Sequence, residues 1–237
     1  MIKKILDQDK FYDTFRNRIM FPIFDSSNRV IAFSGRSLSS GPNTPKYLNS
    51  PETDLFKKSE VLYGLNFAKK TVRTVDYSVL VEGQMDLILS HQIGVEQAVA
   101  SSGTALTGMH LERLKKISNR LILAYDGDEA GLKASLRGLE LALSVGMEVK
   151  IANLPLGEDP ASVATRSPEN WKTILREAED GLMYVLKLIK KKSKTGVFLA
   201  KAINAELLPL VSLIQNEMVK SQYITLISKD SGIPERA

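Results

Sequence analysis

Leu121-Ile122-Leu123-Ala124-Tyr125-Asp126-Gly127-Asp128 is a continuous apolar run that ends abruptly in two carboxylates. A second run, Val79-Leu80-Val81-Glu82-Gly83, ends the same way. Short runs without polar alternation read as strands buried on both faces, the state of strands in a parallel sheet. A helical pattern follows each. Carboxylates just past such strands lie at the crevice where open α/β sheets take their ligands. Asp126 and Asp128 are two residues apart, so extended backbone points them to one side. Two carboxylates ~5 Å apart repel by roughly 3 kcal/mol at an effective dielectric near ~20, and Glu82 adds to that repulsion. A hard cation with a preference for oxygen, Mg²⁺ or Mn²⁺, turns the repulsion into binding. The spacing therefore points to a metal site for phosphoryl transfer.

Outward from these runs the alternation continues. Strand 78–82 leads to helix 84–92, strand 96–100 to helix 107–117, strand 120–125 to helix 129–145, and strand 147–153, past a turn at 155–160, to helix 168–179. This βαβαβαβα order predicts a parallel sheet covered by helices. Upstream, residues 18–24 and 29–36 read as a hairpin around Asp25-Ser26-Ser27-Asn28. Residues 37–60, rich in Ser, Pro, Asn and Lys, read as an exposed loop. Beyond Gly181 apolar residues recur with helical spacing through 182–189, 197–214 and 218–227, and the lysines of 187–201 read as a solvated helix face.

Composition narrows the chemistry. The 237 residues contain no cysteine, which excludes a disulfide framework and a thiolate zinc site. The two histidines, His91 and His110, are read as surface residues on helices. No stretch approaches the ~20 apolar residues that span a bilayer, and the N-terminus lacks an apolar signal region. A soluble cytoplasmic protein is expected. The net charge of +5 is compatible with a nucleic-acid partner.

Other readings of the acidic residues are weaker. Asp126-Gly127 is not a hairpin turn, because a helix follows. A calcium loop fails, because its fifth position is Ala130 and its twelfth is Arg137. Asp128 reads as a helix N-cap, which leaves Asp126 unexplained. Asp86 stands in the first turn of a helix, where acidic residues ordinarily complement the dipole.

Val81-Glu82-Gly83, followed some forty residues later by Tyr125-Asp126-Gly127-Asp128-Glu129-Ala130-Gly131, resembles the Toprim signature. Primases, topoisomerases and several nucleases share it. The flanking segments Arg18-Ile19-Met20-Phe21-Pro22-Ile23, Gly35-Arg36, Pro45-Lys46-Tyr47-Leu48-Asn49-Ser50-Pro51-Glu52-Thr53 and Leu62-Tyr63-Gly64-Leu65 resemble the catalytic core of bacterial DnaG-type DNA primases. So do Ala100-Ser101-Ser102-Gly103-Thr104-Ala105-Leu106-Thr107 and Gly157-Glu158-Asp159-Pro160. The likeness covers roughly residues 10–180.

The resemblance implies a Toprim-type α/β fold: a parallel sheet with flanking helices, preceded by a small mixed α+β subdomain and followed by a helical segment. Residues 1–75 would be part of the N-terminal core subdomain with its basic loop. Residues 76–160 would be the Toprim domain, and 161–237 the helical end of the core and the start of the helicase-binding region. Glu82, Asp126 and Asp128 would be the central, catalytic ligands of two or more Mg²⁺ or Mn²⁺ ions, with Asp86 and Asp159 auxiliary. The family usually has a further Asp where this chain has Ala161, and often a Tyr where it has Gln84, a change expected to matter little. Arg36, Lys46, Tyr47, Asn49, Lys57 and Lys58 would contact nucleic acid or nucleotide, largely without regard to sequence. The implied reaction is synthesis of short RNA primers on a single-stranded DNA template from ribonucleoside triphosphates. It leaves an RNA–DNA hybrid, and a replicative helicase is a partner in the intact family. No zinc is expected in this chain. Two other readings stay open: a Toprim nuclease, and a truncated core without the zinc ribbon and complete helicase-binding domain that binds nucleic acid or nucleotide but does not prime.

Overall fold

The computed structural model describes residues 2–4, 11–39, 44–193 and 196–235. The first part carries β1 (Ile2–Lys4) paired antiparallel with β2 (Phe11–Asp13), then an antiparallel sheet in the order β3 (Arg18–Phe24), β4 (Val30–Ser37), β5 (Tyr47–Asn49). The β3–β4 hairpin matches the sequence reading. Asp25 accepts the Ser27 and Arg29 N–H groups, and Asn28 takes the left-handed conformation that closes the turn. The segment 37–60 departs from the expected exposed loop. It contributes β5, in register with β4 at Ser34↔Asn49 and Arg36↔Tyr47, and it buries Ser50 and Phe56. Phe56 packs with Ile23 and Ala32 into a small core of its own. Residues 40–43 of that segment lie outside the described residues.

After α1 (Leu65–Val75) the alternation begins: β6 (Ser78–Val81), α2 (Gln84–Gln92), β7 (Ala98–Ala100), α3 (Gly108–Lys115), β8 (Arg120–Leu123), α4 (Glu129–Ser144) and β9 (Glu148–Ile151). Then come α5 (Pro160–Arg166), α6 (Pro168–Arg176), β10 (Glu179–Asp180) and α7 (Gly181–Lys192). The strands form one sheet in the order β10-β9-β8-β6-β7, parallel except for β10, which pairs antiparallel with β9. Alternate residues of β6 and β8 go to opposite cores. Leu80, Leu121 and Leu123 pack with α3, α4 and α7, whereas Val79, Val81 and Ile122 pack with α2, α5 and α6 around Trp171. Burial on both faces is why these strands lack polar alternation.

From β6 the chain crosses to β7 on one side, then returns to β8 on the other. The crevice between the C-terminal ends of β6 and β8 is therefore the point where the winding reverses, the position at which such sheets bind ligands. The first sheet is tied to the second by Tyr63, whose backbone exchanges hydrogen bonds with Ala100 at the edge strand β7. Beyond α7 come α8 (Gly196–Ala202), a π-helical turn (Ile203–Leu207), α9 (Leu208–Ser212) and α10 (Glu217–Ser231). The stretch 197–214, read as helical, is helical without a gap as far as Ser212, with the π turn inside it. Lys187 and Lys190 of α7 form ion pairs with Glu179 and Asp230. Among the described residues no helix is long and apolar enough to cross a membrane.

Candidate metal and nucleotide site

Glu82 follows β6, and Asp126 and Asp128 follow β8. The strands are held together up to that point by the Ala124 N–H donating to the Leu80 carbonyl at 2.9 Å. Three helices begin here, and each start is capped by one of the acidic residues. Asp128 is the N-cap of α4 and accepts the Gly131 N–H at 2.7 Å. Asp159 is the N-cap of α5 and accepts the Ser162 N–H at 2.6 Å. Asp86, in the first turn of α2, accepts the Gly83 N–H at 2.9 Å on one oxygen and the Ala161 N–H at 3.2 Å on the other. Asp86 thereby links the starts of α2 and α5. The partial positive charge at helix N-termini offsets part of the repulsion among these carboxylates.

Two glycines make the approach possible. A Cβ at Gly127 would stand 2.1 Å from the Pro155 carbonyl oxygen, and one at Gly131 would stand 2.1 Å from that of Asp126. Gly127 donates to the Glu158 carbonyl at 2.8 Å and accepts from the Gly157 N–H at 2.9 Å. This latch brings the 155–159 turn, and with it Asp159, beside the Asp126-Gly127-Asp128 corner.

Electrostatics identify the cluster. The Asp126 carboxyl is pushed up to about 7, first by burial and then by Glu82, Asp86, Asp159 and Asp128. Glu82 is raised by burial and by Asp86 and Asp128, partly relieved by the backbone N–H of Asp126. Burial raises Asp86 as well. Asp126 Oδ1 is buried and accepts no hydrogen bond from the described residues. Unsatisfied acceptor oxygen amid mutually repelling carboxylates fits a hard divalent cation. Among the described residues no three of these groups close into a ready cage. A hard cation that retains several waters needs few protein oxygens.

A basic edge faces the cluster. Lys46 lowers the proton affinity of Asp86, and Tyr47 feels Arg36, Asp86 and Asp159. The Arg36 guanidinium lies 6.0 Å from the Tyr47 ring centre, a cation–π contact. Asn49 donates to the Ser102 carbonyl at 3.1 Å. Lys58 lines a small cavity with Asn49, Ser101, Ser102 and Thr104. Lys57 is not brought to this place. Its ammonium lies 3.5 Å from Glu60 and lines a separate cleft of about 700 Å³ with Leu55, Arg73 and Arg113.

One residue differs from its sequence reading. His110 is not a surface residue: it is 0% exposed, and its Nε2 lies 2.8 Å from the Lys58 carbonyl, so it anchors the backbone that carries Lys58. His110 shares one helix face with Leu111 and Leu114, a periodicity that carried the signal. Gln84, at the position where the family often has a Tyr, is 2% exposed, and its amide donates to Ser34 at 2.9 Å and to Ser102.

Residues 1–69 match the N-terminal domain of the DNA primase catalytic core, and residues 79–164 match a Toprim-like domain. The chain is 38% identical over 232 residues to the DNA primase of Clostridium acetobutylicum, covering 95% of this chain and 38% of that protein. It thus spans about two fifths of that relative's length. The Escherichia coli primase catalytic core superposes with a TM-score of 0.86 at 36% identity, covering 99% of this chain and 75% of that one. A DnaG primase catalytic domain bound to single-stranded DNA also has a TM-score of 0.86, at 34% identity, covering 100% and 75%.

Proposed function

Since this chain belongs to the bacterial DnaG-type DNA primase family, we propose that it carries the nucleotidyl-transfer site that makes RNA primers on single-stranded DNA. The observation that carries this reading is Asp126. Its buried oxygen, without a hydrogen-bond partner among the described residues, stands among four further carboxylates at the reversal point of the sheet, opposite the basic edge of β4 and β5.

In the proposed reaction a ribonucleotide 3′-hydroxyl attacks the α-phosphorus of an incoming triphosphate. The new P–O bond forms as the bond to pyrophosphate breaks. Bound divalent cations would acidify that hydroxyl and neutralise the leaving pyrophosphate. Glu82, Asp126 and Asp128 supply oxygen ligands, with Asp86 and Asp159 at the margin. Glu82, held above the usual carboxylate range, is the alternative acceptor of the hydroxyl proton. Arg36 and Lys46 hold phosphate groups of template or nucleotide, and Tyr47 keeps Arg36 in place. Asn49 and Lys58 flank the 101–104 loop beside them.

We read residues 1–75 as part of the N-terminal core subdomain, 76–160 as the Toprim domain and 161–237 as the helical end of the core. The proposed partners are single-stranded DNA, ribonucleoside triphosphates and the RNA–DNA product in the cytoplasm, with a replicative helicase as the further partner known for the family. The test is primer synthesis on single-stranded DNA with four ribonucleotides and Mn²⁺ or Mg²⁺, beside Asp126→Ala and Asp128→Asn. Short RNA that disappears in both variants supports the reading. Cleavage of DNA without synthesis, or binding without either, overturns it.

A further inference from the structure

Resting on that reading, we infer that Gln84 is a positioning residue, which locks the 101–104 loop and the basic edge into register with the carboxylates. The loop lies between the two sheets and is held at Ser102 from three directions. The Ser102 N–H donates to the Glu82 carbonyl at 2.9 Å, its carbonyl accepts the Asn49 side-chain amide at 3.1 Å, and its hydroxyl accepts the Gln84 amide. Ser102 adopts a left-handed backbone with φ 59°, unusual for a residue with a Cβ. Such a conformation persists where the surroundings over-determine it.

The same Gln84 amide donates to Ser34, which is fully buried in β4 two residues before Arg36. Ser34 is also the register partner of Asn49. A single side chain, two residues past Glu82, therefore joins the strand end that bears a proposed ligand, the loop, and the strand that bears Arg36. Gln84 touches neither Asp126 nor Asp128 among its hydrogen-bond partners, so it acts through the groups it holds. Replacing it with an apolar residue of similar length leaves two buried hydroxyls without a donor and frees the loop from the sheet.

Two measurements on Gln84→Leu test this. The first is hydrogen exchange of the 101–104 amides, expected to quicken about tenfold while the second turn of α2 keeps its protection. The second is steady-state primer synthesis. The KM for ribonucleotide is expected to rise about tenfold, with a much smaller change in kcat and Mn²⁺ affinity retained. Ser102→Ala, which keeps the Cβ and removes only the hydroxyl, is expected to move both readouts the same way by a smaller factor, and it serves if Gln84→Leu fails to fold. Unchanged exchange at 101–104 overturns the inference. Faster exchange with KM unchanged reduces Gln84 to a packing role and overturns it too. Failure of the unsubstituted protein to prime counts against the proposed function, and the exchange result then decides the fate of the Gln84 contact by itself.

Discussion

Replacing Asp126 with asparagine removes one negative charge from the cluster and keeps the side chain's shape. In the folded protein the Asp126 carboxyl rises from the ordinary 3.8 to about 7. At about 1.36 kcal/mol per pH unit, that rise corresponds to about 4 kcal/mol held against the ionised form. Asp126 is only half-buried, and solvent screening through the open face leaves about 1–2 kcal/mol of it as stability. The folded state binds this proton more tightly than the unfolded state does. The stabilisation is thus complete below the unfolded value and lost as pH rises through about 7. Without divalent metal, the parent protein should therefore melt lower at pH 8 than at pH 6. Asp126→Asn should melt about 2–8 °C above the parent at pH 8, given about 2–4 °C per kcal/mol for a chain of this size. Adding Mn²⁺ should stabilise the parent and leave the variant nearly unchanged. Differential scanning calorimetry in EDTA, then in Mn²⁺, reads all three. A variant no more stable than the parent at pH 8 in EDTA refutes uncompensated repulsion at this position.

Three further outcomes are expected. Gly127→Ala places a methyl against the Pro155 carbonyl, 2.1 Å away on the present backbone; it should cost about 2–4 kcal/mol in urea unfolding and release the latch that brings Asp159 to the site. His110 is held below the ordinary histidine range mainly by burial, so its contribution is complete above about pH 6.5 and lost as pH falls; His110→Gln should flatten the loss of Tm between pH 7 and 5. Lys46→Ala should weaken single-stranded DNA binding uniformly across sequences and reduce the salt-dependence slope by about 0.7, read by fluorescence anisotropy at several ionic strengths.

What was legible beforehand follows from the range of each signal. Helix α2 begins and ends where the sequence places it, because Gly83 and the apolar run before it are local marks. The strands β6 and β8 are equally local. Helix α5 has no counterpart in the sequence reading, which passes from a turn at 155–160 to a helix at 168; its mark is Asp159 as N-cap with Pro160 at the first helical position, where proline is at home. The two-residue strand β10 exists only through its pairing with β9, and β5 through its pairing with β4. Neither leaves a period in three residues or fewer. The five acidic residues could be gathered from strand ends and a family likeness. The role of Gln84 could not, because its partners are 50 and 18 residues away and a buried polar contact has no periodicity. Lys57 and Lys58 look alike in sequence, and only the turn of the backbone sends one to the small cavity and the other to the far cleft.

The use of acidic residues as helix caps has a genetic corollary. Asparagine caps a helix about as well as aspartate does, and their codons differ by one nucleotide. At position 128 a single base change can therefore silence the proposed chemistry while the helix cap persists, and at position 159 the same change removes an auxiliary carboxylate at as little cost to the fold. At position 126, where no cap is made, the same change should even raise stability. A population of this gene under relaxed selection would be expected to lose its acidic residues before it loses its architecture, leaving stable proteins of the same shape that no longer turn over.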